Sequence, residues 1–284
     1  MDSGLRSLIF FLFLFFNAHL SASLEDYYPY QLIPTSSNYG YTGLLEMPSA
    51  RFMGEGGLKL GISASYPNEY TFIVASPFPW LEVGYRYAEV KTEKYGPVAY
   101  SGNQTLKDKG FDLKIRVLEE SFYLPNIALG IRDVAGTGRF AAEYIVGSKR
   151  FGLLDLSMGI GWGELGNEGN ISNPLAFLDE RFETRRVGLS TNYQGGTFLV
   201  EDWFSGNAAL FGGLEYSFPK RGFNLKLEYD TSHPDLGLLG PPVEVRSRFN
   251  LGFSRPFLDN FIEAGLSFER GTQVRFTFVI NGNY

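Results

Sequence analysis

Two histidines, no cysteine and a scatter of carboxylates set narrow limits on the chemistry open to this chain. His19 lies in an apolar amino-terminal run, and His233 lies in Ser232-His233-Pro234-Asp235. A nucleophile needs a base within hydrogen-bond reach. Ser232 is adjacent, but a proline-bounded stretch of this kind reads as a turn. Metal ligation would have a single histidine beyond the amino-terminal run, and no glycine-rich phosphate loop opens a helix. The expectation is therefore of no catalytic residue, no cofactor, no metal and no enzyme activity. The neighbouring acids Asp179-Glu180 and Glu201-Asp202 would have to face each other across a substrate to cleave a glycoside, and adjacent acids in loops are ordinarily solvated. One segment is more suggestive: Gly195-Gly196-Thr197-Phe198-Leu199-Val200-Glu201-Asp202-Trp203-Phe204 places aromatics and acids together. Rings beside carboxylates hold sugars by stacking and by hydroxyl hydrogen bonds, which makes Glu201, Asp202 and Trp203 candidate ligand contacts. The same aromatics would equally serve to fold a long loop onto the structure beneath it.

The elements that must position such groups read as strands. In Phe111-Asp112-Leu113-Lys114-Ile115-Arg116-Val117 the apolar residues occupy one face and the charges the other, because successive strand side chains alternate. Leu154, Leu156, Met158, Ile160 and Trp162 make the same kind of stripe, as do Phe223, Leu225, Leu227 and Tyr229. About twelve strands are predicted, at residues 58–65, 70–75, 81–89, 111–117, 127–132 and 140–148 in the first half. The second half supplies 154–162, 208–218, 223–230, 245–254, 261–268 and 273–280. The only helical candidate is a short one at residues 174–182.

Composition narrows the class. The 284 residues carry 34 glycines, 16% aromatics and 44% hydrophobics. The mean hydropathy is only -0.09, as expected when apolar residues are spread over alternate positions. A net charge of -6 excludes a general nucleic-acid binder. The one long apolar run, residues 8–16, follows Arg6 and precedes small residues; it fits a signal peptide of residues 1–23 and is too short to span a membrane. Without a cysteine at that junction, a lipoprotein-type anchor is not expected there. Residues 24–57 read as an extended periplasmic lead-in and 58–284 as a β-barrel.

Loop lengths support the barrel. The longest predicted connections, 90–110, 163–207 and 231–244, all follow odd-numbered strands and so fall at one end, whereas those after even-numbered strands are short. Outer-membrane barrels have short periplasmic turns and long external loops. The fold expected is all-β, an antiparallel transmembrane β-barrel of about twelve strands, with an apolar face toward lipid and a charged lumen. The lumen face would carry Arg116, Arg132, Arg246 and Arg248, a second set of candidate ligand contacts, among carboxylates that include Glu82, Glu143, Glu215 and Glu228.

Several segments carry a resemblance in their order and spacing: Asn38-Tyr39-Gly40-Tyr41-Thr42-Gly43-Leu44-Leu45-Glu46-Met47-Pro48-Ser49-Ala50, Ser76-Pro77-Phe78-Pro79-Trp80 and Gly130-Ile131-Arg132-Asp133-Val134-Ala135-Gly136-Thr137-Gly138. Residues 195–204, followed by Leu210-Phe211-Gly212-Gly213-Leu214-Glu215-Tyr216, complete the set. Together they resemble the YjbH family of outer-membrane proteins associated with exopolysaccharide. The resemblance implies an outer-membrane barrel of a Gram-negative bacterium taking part in secretion or assembly of a capsule or biofilm polysaccharide. Its partners would be outer-membrane lipid, extracellular polysaccharide and periplasmic export proteins. Family members are commonly longer, so the chain reads as a short or amino-terminal-half form, and Asn281-Gly282-Asn283 looks like turn chemistry preceding more chain. The alternatives are a general diffusion porin narrowed by the 163–207 connection, a membrane-barrel enzyme acting on lipid or glycan, and a soluble secreted sugar-binding β protein.

Overall fold

The computed structural model describes residues 28, 32–134, 136–185, 198, 200–232 and 244–284. The predicted amino-terminal signal and His233 lie outside the described residues. Twelve antiparallel strands form the wall: β1 (Gly57–Ser65), β2 (Asn68–Phe78), β3 (Leu81–Lys94), β4 (Thr105–Leu118), β5 (Asn126–Arg132) and β6 (Ala142–Phe151), then β7 (Leu154–Gly163), β8 (Ala208–Phe218), β9 (Phe223–Tyr229), β10 (Phe249–Phe257), β11 (Ile262–Glu269) and β12 (Gln273–Asn283). Each bonds its neighbours in sequence, and β12 closes on β1 from Gly57↔Asn283 to Ala64↔Phe276. Closure removes both sheet edges, so no wall strand is left with unpaired edge groups.

The connections sort as expected. At one end the strands are joined by residues 79–80, 119–125, 152–153, 219–222 and 258–261. At the other end lie 95–104, 133–141, 164–207 and 230–248, together with two tight turns, 66–67 and 270–272. Several boundaries differ from the sequence reading. β3 and β4 each run 14 residues, which shortens their connection and leaves only a one-turn helix, Val98–Ser101, within it. β10 starts at Phe249, four residues later than predicted, so Arg246 and Arg248 lie outside the wall. Asn281, Gly282 and Asn283 are not a turn, because they pair with Lys59, Leu58 and Gly57. The predicted helix at 174–182 is a run of turns with a 3-10 turn at Glu180–Phe182.

Side-chain alternation sends Leu58, Leu60, Ile62, Phe111, Leu156, Leu210, Leu251, Leu266, Phe276 and Phe278 outward, all well exposed. Lys59, Glu82, Arg86, Asp112, Lys114, Arg132, Lys226, Glu228, Glu263 and Arg275 point inward and are buried. Two departures matter. On β2 the inward residues are Tyr70, Phe72 and Val74, and on β6 Tyr144 and Val146, so the interior is not uniformly polar. Glu143, expected in the lumen, is an outward residue paired across the strands with Trp162. Described residues of the 164–207 connection fold back over both: Arg185 binds Glu143 at 2.7 and 3.0 Å, and Phe204 meets the Trp162 ring edge-on at 5.2 Å. Trp162 is thereby only 1% exposed and takes no part in an interfacial girdle.

The inward apolar residues pack on a partner supplied from the amino-terminal side. Residues 35–50, assigned above to an extended periplasmic lead-in, are instead buried without interruption inside the barrel. Tyr39 and Tyr41 pack with Tyr70, Phe72, Val74 and Phe140, while Leu44, Met47, Ala50 and Phe52 pack with Tyr144, Val146, Leu165 and Phe211. A segment with one glutamate and no cation between residues 35 and 50 satisfies its polar groups in the lumen better than it would fill a hydrocarbon core.

Candidate functional site

The candidate site is the lumen and the segment that plugs it. The segment is a re-entrant hairpin. Ser36 bridges Thr42 and Gly43 bridges Pro48, and the Ser37 N–H donates to the Tyr41 carbonyl at 2.7 Å. Both of its ends lie toward the short-turn mouth. On the incoming side Asn224 donates to the Ile33 carbonyl and Thr35 to Glu215. On the outgoing side Arg51 forms a bidentate pair with Asp155, both contacts 2.7 Å, and also binds Glu120. Gly40 makes the bend possible: its φ is +86°, and a Cβ there would lie 2.1 Å from the Phe72 ring.

The wall captures this hairpin by its backbone. Glu228 of β9 accepts the N–H groups of Leu45, Glu46 and Met47 at 2.9, 3.0 and 3.1 Å. Lys226, two residues earlier, donates to the carbonyls of Ser36, Gly43 and Leu44, each at 2.8 Å. Glu263 accepts from the Ser36 N–H and hydroxyl, Glu82 from the Thr42 hydroxyl and Met53 N–H, and Lys114 donates to the Thr42 and Arg51 carbonyls. Lys114 is itself paired with Glu82 at 2.7 Å. Charged groups donating to or accepting from buried peptide groups form the stronger class of hydrogen bond. They also satisfy backbone that would otherwise be orphaned in a closed interior.

The inner turn of the hairpin is tied to the long-loop end through Glu46. Arg270, in the turn between β11 and β12, binds Glu46 at 3.1 Å and Asp230 at 3.2 Å, and Arg275 lies 3.6 Å from the other Glu46 oxygen. Burial by itself would raise the Glu46 pKa, but the two guanidiniums and hydrogen bonds from Asn38 and Tyr39 outweigh it and hold the group at about 2. Glu164, in the 3-10 turn after β7, shows the reverse: burial dominates over the attraction of Arg132 and Arg86 and pushes it up to about 7. Asp133 is also pushed up to about 7, by burial and then by Asp108. Arg86 fits between the Tyr39 and Phe140 rings at 4.9 and 4.8 Å, using their faces in place of hydrogen-bond acceptors. A cavity of about 10 Å³ lined by Tyr41, Pro48, Asp112, Arg132 and Tyr144 is left between hairpin and wall, room for roughly one water.

The predicted contact residues do not converge. Arg132 is in the lumen, donating to the Glu46 carbonyl at 2.8 Å and lying over the Tyr39 ring at 4.5 Å. Arg116 sits toward the short-turn mouth, beside Phe52 at 4.8 Å and Glu119 at 3.5 Å. Arg246 is outside the lumen, exposed and paired with Glu244, and Arg248 pairs with Glu168 and donates to the Ser232 carbonyl. The cause is the late start of β10, which leaves both in the connection. Glu201 and Asp202 form a 3-10 turn with Val200 in the 164–207 connection, with Glu201 exposed, Asp202 buried and Trp203 half-buried. The adjacent Phe204 N–H is held by Glu143 at 2.8 Å. Among the described residues no group of three or more His, Cys, Asp or Glu is arranged to hold a metal ion. What the sequence reading missed is the hairpin itself. Its signal was Ser, Thr, Asn, Tyr and Gly packed into residues 35–43, a composition able to hydrogen-bond on all sides.

Comparison with known proteins bears on this architecture. At 40% identity over 265 residues, the chain is similar to the uncharacterized lipoprotein YjbH of Escherichia coli (strain K12). The match covers 93% of this chain and 37% of that protein, so the chain spans little more than a third of its relative's length. Among solved structures, the KdgM porin in complex with disordered oligogalacturonate is matched over 80% of this chain and 99% of that chain, at 9% identity and a TM-score of 0.39. A mutant of the Rh. blastica porin is matched over 77% of this chain and 56% of that chain, at 6% identity and a TM-score of 0.29. A closed barrel with an apolar exterior and this relationship are consistent with an outer-membrane protein. The family model described as exopolysaccharide biosynthesis protein YbjH matches residues 35–284, from the first buried residue of the hairpin to the end of β12, and the chain belongs to that YjbH family.

Proposed function

We propose that this chain is a non-enzymatic outer-membrane component of exopolysaccharide secretion or assembly in a Gram-negative bacterium, whose barrel is held shut by its own amino-terminal hairpin. It reaches the outer membrane after cleavage of its signal peptide, and its partners are the surrounding lipid, the extracellular polysaccharide and periplasmic export proteins. The observation that carries the reading is the capture of residues 35–53 by Glu82, Lys114, Lys226, Glu228 and Glu263 in a chain of the YjbH family. The lumen charges are engaged with peptide groups and with each other, which supports a structural use of them over catalysis. A general diffusion porin needs a lumen open to solvent, and the filled interior argues against that alternative.

The test is genetic and quantitative. A strain lacking the chain should lose cell-surface polysaccharide and regain it on complementation with the wild-type chain. Unchanged polysaccharide in the deletion strain, with the protein shown to be expressed in the parent, sinks the reading. Conductance of the purified chain in planar bilayers decides the porin alternative: steady open-channel current from the wild-type chain would support it, and a closed baseline would not.

A further inference from the structure

The outward face of the barrel is apolar almost everywhere, and its charged exceptions are gathered in one sector. On β2, β3 and β4 the outward positions nearest the long-loop end are Glu69, Glu89, Lys91, Lys107 and Lys109, and Lys94 follows at the end of β3. Elsewhere on the strands the outward charges are Glu143, covered by the 164–207 connection, together with Lys149 and Arg255 at the short-turn end. Four lysines thus face two glutamates in a chain whose net charge is -6. Lys91 is paired with Glu69, Glu89 accepts the Thr105 hydroxyl, and Lys94 donates to Asn103 at 3.3 Å. Lys107 and Lys109 have no side-chain partner among the described residues.

Their height on the wall says what they meet. Lys109 is the next residue on the same face above Phe111, and Lys107 the next above that, each step being roughly 7 Å along a strand. Phe111 stacks at a tilt on Tyr85 of β3, ring centroids 5.3 Å apart, and Tyr87 lies directly across from Lys109. Aromatic rings at this level mark the boundary between hydrocarbon and headgroups. A pair of unpartnered lysines just above that boundary, facing outward, lies in the headgroup layer and not in the lumen or the aqueous loops. The groups of fixed negative charge in that layer are phosphates.

We propose that the outward face of the β3–β4 hairpin, through Lys107 and Lys109, binds the phosphates of lipid headgroups packed around the long-loop end of the barrel. The inference rests on the reading that the chain spans a membrane, and is independent of any role in polysaccharide production. A lipid held there orients the barrel about its axis and gives this sector a fixed lipid neighbour. Lys91 and Lys94 extend the same positive face toward the tip.

The test uses the full chain purified in a neutral detergent and a bisphosphorylated lipid A, with the same lipid enzymatically dephosphorylated as control. Binding is read by native mass spectrometry. Heat-modifiable gel mobility reports separately that each variant is a folded barrel. The phosphorylated lipid should bind at least roughly tenfold more tightly than its dephosphorylated form, falling with added salt. The double variant K107Q/K109Q should lose most of that difference, while Lys220→Gln with Arg221→Gln at the short-turn end leaves it intact. Equal binding of the two lipids, or an undiminished preference in K107Q/K109Q, overturns the proposal. So does binding of an acidic polysaccharide in place of the lipid, lost in the same double variant, which would assign the lysines to glycan. Absence of a heat-modifiable form in the wild-type chain would instead overturn the membrane reading on which the proposal stands.

Discussion

Lys226 and Glu228 stand two residues apart on the inward face of β9 and divide one peptide segment between them. The lysine takes three carbonyls and the glutamate three N–H groups of the same hairpin. Each charge is buried and each is neutralised in part by peptide dipoles, so neither residue can be removed without leaving three backbone groups unpaired. Removing one partner from a buried charged arrangement is destabilising by about 3–5 kcal/mol. Lys226→Met and Glu228→Ala should therefore release the hairpin before the wall unfolds. Limited proteolysis of the detergent-solubilised protein should cut within residues 35–53 in both variants and spare the wild type, and bilayer conductance should rise in parallel. Variants that unfold globally without a stage of selective cleavage would show that hairpin and wall form one cooperative unit.

Gly40→Ala provides a lesion confined to the hairpin. The residue adopts φ +86°, where an alanine is disfavoured by roughly 1–2 kcal/mol, and the added methyl would run into Phe72. The barrel should still assemble, judged by heat-modifiable mobility, while the hairpin becomes protease-sensitive. Combining it with Phe72→Ala should restore only part of the protection, because the backbone penalty remains. Complete restoration would place the whole effect in the steric contact.

Leu156 and Ser157 are adjacent on β7 and face opposite ways, so the same substitution should give different failures. Leu156→Arg sets a cation against hydrocarbon at about 2–4 kcal/mol and should reduce the amount of assembled barrel. Ser157 bonds Ser148 at 2.7 Å, and Ser148 in turn accepts the Ala50 N–H at 2.8 Å. Ser157→Arg should thus spare assembly and expel the hairpin. Quantifying folded protein in membrane fractions together with protease sensitivity separates the two. A larger assembly defect from the Ser157 change would mean that the faces are reversed.

The buried acids predict a pH profile. Glu164 is raised from 4.5 to about 7, so the folded protein holds that proton more tightly than the unfolded chain does. Its favourable contribution is complete below about pH 4.5 and is lost as the pH rises through about 7. Glu46, lowered to about 2, stays charged across that interval, and its contribution is lost only as the pH falls from 4.5 toward 2. The thermal midpoint of the wild type should fall between pH 5 and pH 8, and Glu164→Gln should flatten that fall. An unchanged slope in the variant would remove Glu164 as its source.

In the 164–207 connection, Phe198 and Glu201 of the aromatic and acidic segment are exposed and Trp203 is half-buried, while Asp202 is buried. If sugar is contacted there, Trp203→Ala with Glu201→Ala should lower cell-surface polysaccharide with barrel abundance unchanged. Abundance falling in step with polysaccharide would assign the segment to packing over Trp162.

Much of the wall was legible in the sequence because a strand has a period of two. Phe111 to Val117 announce both a strand and its two faces, and the sorting of long and short connections announces which ends they join. About twelve strands follow from that period, and the inward placement of Lys59, Glu82, Lys114, Lys226 and Glu228 follows once the loop lengths set the charged face toward a lumen. Alternation reports which side of the wall a residue is on, but not what lies across from it. Tyr70, Phe72 and Val74 break the apolar-out rule on β2 because the hairpin supplies an apolar surface inside, and Glu143 breaks it the other way because Arg185 and Phe204 cover that part of the wall from outside. The hairpin has no period of its own, so residues 35–50 looked like a lead-in. Their burial is decided by charges contributed from β1, β3, β4, β9 and β11, brought within hydrogen-bond distance of it only when the barrel closes.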